Sequence, residues 1–290
     1  MSNVIGIGAR PLRKEDRRFL TGRGNYVADI KRPDMTVGAF VRSPHAHAAI
    51  KSIDAAAALA MPGVLAVFTG EDLKAAGVGG LPCGWGITGK DGLPMKEPPH
   101  PALAQGKVRH VGDPVAFVVA ETYEQAQSAA AAVIVNYHEL PAVVGVLDAI
   151  KRDAPLLFDD VPSNLCCHWA IGDRAATDAA FRKAAHVARI SLVNNRLVGN
   201  PMEPRAAVAE YNAATGQYTL WSTSQFPHVV RLLMGAFVLN IPQHKLRVVA
   251  PDVGGGHDVA FSLNLWTELK MQSKKRAGRG PSTRARVTRP

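Results

Sequence analysis

Three places in the chain carry residue types that could support chemistry. The first is Thr223-Ser224-Gln225, a polar triplet between an aromatic-bearing, alternating run at 218–221 and a helical pattern that opens at Pro227. The second is Gly254-Gly255-Gly256, directly after a short apolar run at 246–250. Consecutive glycines have no Cβ, so the backbone reaches positive φ and comes close to a bound group. Successive N–H groups in such a loop can form a concave anion site. A plain turn is the bland alternative, because an isolated glycine run demands no spacing. The third is Asn200-Pro201-Met202-Glu203-Pro204-Arg205, whose two prolines exclude regular helix and favour a rigid extended segment. Glu203 there is open to two uses, a carboxylate in a substrate approach or a structural one.

Other reactive side chains are less informative. The three cysteines, Cys83, Cys166 and Cys167, fit no metal or iron–sulfur spacing. The adjacent pair reads as reduced, semi-buried side chains in preference to a redox couple. His110, ahead of Gly112-Asp113-Pro114, could carry a proton, but a single histidine at a strand start is more often structural. Arg13, Lys14, Arg17 and Arg18 lie in a polar N-terminal arm that reads as solvated surface rather than as a site for an acidic partner.

The elements that must position these residues follow from periodicity. After the arm, Thr21-Gly22-Arg23-Gly24 marks a turn before 26–30. A strand at 49–53, a helix capped by Asp54 and ended by Pro62-Gly63, and a strand at 64–68 make one strand–helix–strand unit. A strand at 115–120, a helix to 132 opened by the capping box Thr122/Gln125, and a strand at 133–137 make another. Two such units imply a mixed sheet with helices packed on it. Between them runs a Gly/Pro-rich connection, 77–106, holding Cys83, Trp85 and Met95; that length suggests function or mobility. Residues 139–165, rich in proline and aspartate, read as a linker. Then come a helix at 172–185, a strand-like run at 186–196, and a hairpin of 206–211 with 218–222 around Ala213-Ala214-Thr215-Gly216. From Pro227 a helix carries Phe226, Val229, Val230, Leu233 and Phe237 on one face, and Asn240 and Pro242 stop it. The run at 246–250 is the last strand before the glycines.

The totals bound the class. At 290 residues with 47% hydrophobic content, the chain can bury one large core or two ordinary ones. The formal charge of +10 is concentrated late: Lys270, Lys274, Lys275, Arg276, Arg279, Arg284, Arg286 and Arg289 face no acid after 270, and the rest is close to neutral. A basic tail can attract nucleic acid. No aromatic follows Trp266, so a stacking surface is missing and nucleic acid is not an expected partner. No run of about 18 apolar residues is present to span a membrane. The first nine residues have neither a basic start nor an apolar core long enough for a secretory signal, so a cytoplasmic location is expected.

The segments TSQFPHVVRLLMGAFVLNIP and APDVGGG, with NPMEPRAAVAEY upstream, resemble the molybdenum-binding (large) subunit of the xanthine dehydrogenase/aldehyde oxidase/carbon monoxide dehydrogenase family. The resemblance extends through EDRRFLTGRGNYVADI, RSPHAHAAI and VGDPVAFVVAETYEQAQ, over about residues 8–257. It implies an α+β chain: an aldehyde oxidase/xanthine dehydrogenase α/β hammerhead domain followed by the first part of the molybdopterin-binding domain. The implied boundaries are an arm at 1–18, the hammerhead at 19–138, a linker at 139–165, a partial molybdopterin-binding domain at 166–258, and a basic, disordered, non-family tail at 259–290. It implies a molybdenum–molybdopterin cofactor, in the cytosine dinucleotide form in an intact member. Gln225 would donate its amide to an oxygen on the metal, Gly254, Gly255 and Gly256 would pass beside it, and Met202 and Glu203 would line the substrate approach. Iron–sulfur and FAD groups are implied only on partner subunits, in a complex that could itself dimerise. The intact relative would hydroxylate aldehydes, N-heterocycles or carbon monoxide with oxygen from water.

Departures limit the resemblance. Where the family continues Phe-Gly after the glycines, this chain has His257-Asp258; an aspartate there adds bulk and brings negative charge toward an anionic cofactor. The family's general-base glutamate lies in a later region, so no catalytic residue is assigned. The expectation is a C-terminally truncated, inactive form, with 257–290 the product of an altered frame or premature end. The alternative is a non-catalytic module that docks a partner subunit.

Overall fold

A computed structural model describes residues 6–9, 11–83, 86–194, 201–254 and the strand 282–288. Gly255, Gly256, His257, Asp258, Trp85, Asn200 and the end of the 186–196 run lie outside the described residues.

A short helix, α1 (Asp16–Leu20), ends the arm, and a 3₁₀ turn at Val27–Asp29 follows. Strand β1 (Met35–Arg42) then leads to β2 (Ala48–Asp54), α2 (Ala56–Leu59), β3 (Val64–Thr69) and α3 (Gly70–Ala75). After the Gly/Pro-rich connection come β4 (Lys107–Val108), β5 (Pro114–Ala120), α4 (Tyr123–Ala132) and β6 (Ile134–Glu139). The Asp54 carboxylate accepts from Ala56 N–H at 2.9 Å, ahead of α2. Both bonds of the Thr122/Gln125 capping box are made, at 3.0 and 3.3 Å.

The two strand–helix–strand units do not share one mixed sheet. β3 and β5 join β1 in a large sheet, whereas β2 and β6 pair with β4 in a separate three-stranded sheet. Each unit crosses from one sheet to the other. The sequence contains the reason. All seven residues of β5 are buried, as suits a strand covered on both faces, while β6 (IVNYHE) alternates between exposed and half-buried positions. Helices α2 and α4 pack beside β3 and β5, closing a cluster of Ala58, Val67, Ala116, Val118 and Ala129.

The C-terminal half begins with α5 (Val146–Ala149) in the linker and α6 (Arg174–Lys183). The linker is pinned down. The Asn164 amide donates to Ala149 and Pro155 carbonyls at 2.9 Å, Lys107 pairs with Asp159 at 2.7 Å, and Arg109 lies over the Phe158 ring. Residues 186–194 form no strand, contrary to the reading of their β-branched residues; no neighbouring strand pairs with them and their side chains are exposed. The hairpin is as expected: β7 (Ala206–Asn212) pairs antiparallel with β8 (Gln217–Ser222), with Gly216 at φ 66° in the turn. Helix α7 (Pro227–Leu233) runs into a π turn at Met234–Val238, and Asn240 at φ 51° ends it. Its buried stripe is Val230, Met234 and Val238; Phe226, Val229 and Phe237 of the expected face stay substantially exposed. The π turn adds a residue to the repeat and shifts Phe237 relative to that stripe, while Phe226 and Val229 lie ahead of it on the open side of α7. Strand β9 (Leu246–Val249) lies parallel to β8.

The tail departs most from expectation. Residues 282–288 form β10 (Ser282–Thr288), placed between β1 and β7 in a seven-stranded sheet of order β3-β5-β1-β10-β7-β8-β9. One apolar core runs beneath this sheet, joining Phe68, Leu103, Phe117 and Val119 to Ala207, Leu220, Val230, Met234 and Leu246. The halves also meet where Gly79 N–H donates to Val238 O at 2.9 Å. A Cβ on Gly79 would lie 2.0 Å from the Phe237 carbonyl oxygen, a backbone atom that cannot swing aside. Gly79→Ala is therefore expected to destabilise the fold by about 1–3 kcal/mol, measured as a lower urea midpoint at unchanged m-value.

Candidate functional site

Strand β8, helix α7 and parallel β9 form a crossover unit. In open α/β sheets, ligands bind outside the carboxyl ends of parallel strands, where loops diverge. The loop after β8 is Thr223-Ser224-Gln225, and the loop after β9 begins Pro251-Asp252-Val253-Gly254. Gln225 and Gly254 therefore leave adjacent parallel strands at the same edge of the sheet.

Glu203 ties the two loops together. It is 7% exposed. One carboxylate oxygen accepts from Thr223 Oγ1 at 3.2 Å, and the other accepts from Gly254 N–H at 2.5 Å. Glu203 N–H in turn donates to the Gly254 carbonyl at 3.3 Å, and Thr223 N–H to the Ala206 carbonyl at 3.2 Å. Ser224 turns its hydroxyl to accept from Phe226 N–H at 3.2 Å, opening α7. A Cβ on Gly254 would come within 2.8 Å of Glu203 Cβ and 3.3 Å of the Tyr26 ring, so only glycine fits this approach.

The N-terminal arm completes the frame. Arg18 makes a two-pronged ion pair with Asp252 across 234 residues of sequence. Asn25 N–H donates to the same carboxylate at 2.8 Å, while Asp252 N–H donates to Asn25 O at 3.2 Å. The hydrogen bond from Arg18, then that from Asn25, holds the Asp252 carboxyl below the usual carboxylate range. The arm residue read as solvated surface thus has an acidic partner within its own chain.

The expected site residues divide accordingly. Gln225 is exposed at the loop tip, with its carboxamide available to a ligand. Met202, the residue before Glu203, is 95% exposed. Glu203 is a buried bracket, and Gly254 spends its N–H on that bracket. At this edge the exposed Gln225 is the expected residue left to meet a molybdopterin group, because the Gly254 N–H and the space a Cβ would fill there are taken by Glu203. Sequence reasoning missed Arg18, Asn25, Tyr26 and Asp252. Their contacts span the whole chain, so no local spacing signals them.

The other candidates lie elsewhere. His110 is exposed, with Nδ1 3.7 Å from Asp113. Cys83 and Cys166 line a cavity of about 680 Å³ with Met95, His100 and Phe237. The Cys166 thiol donates to the Lys96 carbonyl at 3.2 Å and is pushed up in pKa, first by burial and then by neighbouring Cys167. Among the described residues no cluster of His, Cys, Asp or Glu is arranged to hold a metal ion.

A hammerhead of two sheets bridged by helices, followed by a crossover unit with a glycine loop, defines the class of the molybdenum hydroxylases. Two family profiles match: the aldehyde oxidase and xanthine dehydrogenase a/b hammerhead domain over residues 21–141, and the molybdopterin cofactor-binding domain over 157–258. The chain belongs to the family of molybdenum-binding large subunits that includes xanthine dehydrogenase, aldehyde oxidase and carbon monoxide dehydrogenase. It is 40% identical over 263 residues to the carbon monoxide dehydrogenase large chain of Afipia carboxidovorans, a match covering 87% of this chain and 31% of the relative. It is 36% identical to the nicotine 6-hydroxylase large subunit of Paenarthrobacter nicotinovorans, covering 86% and 30%. Quinoline 2-oxidoreductase from Pseudomonas putida 86 superposes with a TM-score of 0.81 at 36% identity, covering 96% of this chain and 34% of that one. The chain thus spans about a third of the length of these relatives.

Two outcomes follow from the bracket and the ion pair. Thr223→Val leaves a buried Glu203 oxygen without its donor and is expected to cost about 1–3 kcal/mol in denaturant unfolding. Asp252 is held ionised more firmly in the folded chain than in the unfolded one. Its contribution is therefore full at neutral pH and is lost as pH falls through the usual carboxylate range to the lowered value. Asp252→Asn should flatten the thermal stability curve in that acid window, read by melts between neutral and acid pH.

Proposed function

We propose that this chain forms one wall of the molybdenum–molybdopterin site of a molybdenum hydroxylase acting on an aldehyde, an N-heterocycle or carbon monoxide. The observation that carries this reading is the pairing, through Glu203, of the Gln225 loop and the glycine loop at the carboxyl edge of β8 and β9. When bound, the metal–pterin group, proposed in its cytosine dinucleotide form, supplies oxidation of a substrate carbon with oxygen from water and passes electrons to partner iron–sulfur and FAD subunits. The protein contributes position and hydrogen bonds around that chemistry. The Gln225 carboxamide donates to the cofactor edge. Gly254, with Gly255 and Gly256 beyond the described residues, lets the backbone come close. Met202 faces the substrate approach, while Glu203 holds the wall together rather than touching substrate.

No described carboxylate at these loops is free to take a proton. Glu203 accepts from Thr223 and Gly254, and Asp252 is paired with Arg18. The general base therefore comes from polypeptide outside these residues. The remaining features of the reading are a cytoplasmic complex with the iron–sulfur and FAD subunits, itself able to dimerise. Among the described residues no helix is long and apolar enough to cross a membrane.

The second reading, a partner-docking module without catalysis, has its own observation. Helix α6 buries no side chain, and Trp169, Ile171 and Phe181 around it are 55%, 84% and 61% exposed. Exposed apolar surface of this kind marks protein contact. Co-purification with an iron–sulfur subunit, without molybdenum, would favour it. The first reading is tested by purifying the chain from cells supplied with cofactor. No dye reduction with aldehyde, heterocycle or carbon monoxide is expected from the chain alone; turnover with its own molybdenum would overturn the assignment of the base elsewhere. Gln225→Ala should lower bound pterin several-fold at an unchanged melting temperature, and equal retention would remove Gln225 from the wall.

A further inference from the structure

Strand β10 lies between two strands that belong to different domains. On one side it runs parallel to β1, with Met35, Thr36, Val37 and Gly38 in register with Arg284, Ala285, Arg286 and Val287. On the other it runs antiparallel to β7 along its whole length, from Ser282 opposite Asn212 to Thr288 opposite Ala206. β1 is already paired on its far side with β5, and β7 with β8. Without β10 the large sheet divides into β3-β5-β1 and β7-β8-β9, each ending in an open edge. The first belongs to the hammerhead match and the second to the cofactor-binding match.

In the complete sheet both edges are shielded from water. Thr36, Gly38 and Ala39 on β1 are buried, as are Ala206, Ala207 and Val208 on β7. Main-chain N–H and C=O groups at such positions require partners, and an unpaired one costs roughly 1–3 kcal/mol. The filling segment, Ser-Thr-Arg-Ala-Arg-Val-Thr, has no proline within it and has Pro281 and Pro290 outside it, in keeping with the confinement of proline to strand ends.

We infer that the space between β1 and β7 is an acceptor site for an extended peptide, filled by this chain's own residues 282–288, and that this strand makes one continuous sheet of the two domains. The inference is independent of the cofactor reading. Strand addition of this kind draws its affinity from main-chain hydrogen bonds on both sides, so the segment's charge is incidental to its place in the sheet. Residues 282–288 are then a structural strand, which gives a different account of them from a nucleic-acid arm.

The test uses the full chain with Cys83, Cys166 and Cys167 changed to Ser. Ala209 and Ala285 are register partners, and cross-strand Cα separations of about 4.5–5.5 Å fall within disulfide range. Ala209→Cys with Ala285→Cys should form an intramolecular disulfide under oxidised glutathione, identified by mass spectrometry; Asn212→Cys with Ala285→Cys, three positions out of register, should not. Absence of the first crosslink, or equal yield of both, overturns the inference. A second measurement addresses occupancy. Ala285→Pro removes a main-chain donor at the middle of β10, so amide exchange in 35–38 and 206–212 should accelerate at least tenfold while β3 and β5 stay protected. A labelled peptide of residues 281–290 should bind that variant and not the wild type. Unchanged exchange, or equal peptide binding by both proteins, sinks the acceptor site.

Discussion

The carboxylate of Glu203 is the constraint on which the candidate site depends. A charged group withdrawn from water must be met by donors, or its burial becomes strongly unfavourable. Here the donors are the hydroxyl of Thr223, after β8, and the N–H of Gly254, after β9. One side chain therefore sets the spacing of two loops that the sheet alone only brings near each other. The close approach also dictates the glycine, because a side chain at 254 would strike Glu203 itself. Prolines 201 and 204 flank Met202-Glu203, where the chain bends outside any helix or strand, so the carboxylate is presented without a regular element behind it.

Around that bracket the fold is a matter of covered and uncovered faces. The fully buried β5 and the one-sided β2 and β6 cannot lie in the same sheet environment, and the chain answers by passing each helix from one sheet to the other. The core beneath the large sheet mixes residues from both domains, with Phe40 and Phe117 rings 5.0 Å apart at its centre. The surface left uncovered is concentrated in the second domain: α6 and its flanks, and the outer face of α7 with Phe226, Val229 and Leu232. That distribution accords with a domain of which the chain spans only part of the relatives' length.

What could be read from sequence was local. The Thr122/Gln125 box, the turn at Gly216 and the αL stop at Asn240 each depend on residues within a few positions of one another, and each is found; Asp54 instead stands one residue before Ala55, the N-cap of α2, and still accepts from Ala56 N–H. Strands β2, β3, β5, β6, β7, β8 and β9 begin and end within two residues of their periodic patterns, whereas β1 and the two-residue β4 have no counterpart in that reading. What escaped was decided at a distance. Helix α7 and the π turn after it bury Val230, Met234 and Val238 in place of the full stripe from Phe226 to Phe237. The β-branched run at 186–194 found no neighbour, while the basic run at 282–288 found two. Strand content there follows from partners, as β propensity is largely a measure of packing context. For the site, the glycine run and Gln225 were visible as motifs, but the role of Glu203 and the Arg18–Asp252 pair required coordinates.

The Arg18–Asp252 pair also imposes an order on biosynthesis. At roughly 5–20 residues per second, Asp252 leaves the ribosome about ten to fifty seconds after Arg18. The arm can find its anchor only after the chain has been made through residue 252. The hammerhead has its helices and both sheets' early strands in hand well before then. Docking of the arm on the loop after β9 thus follows synthesis of the segments between them.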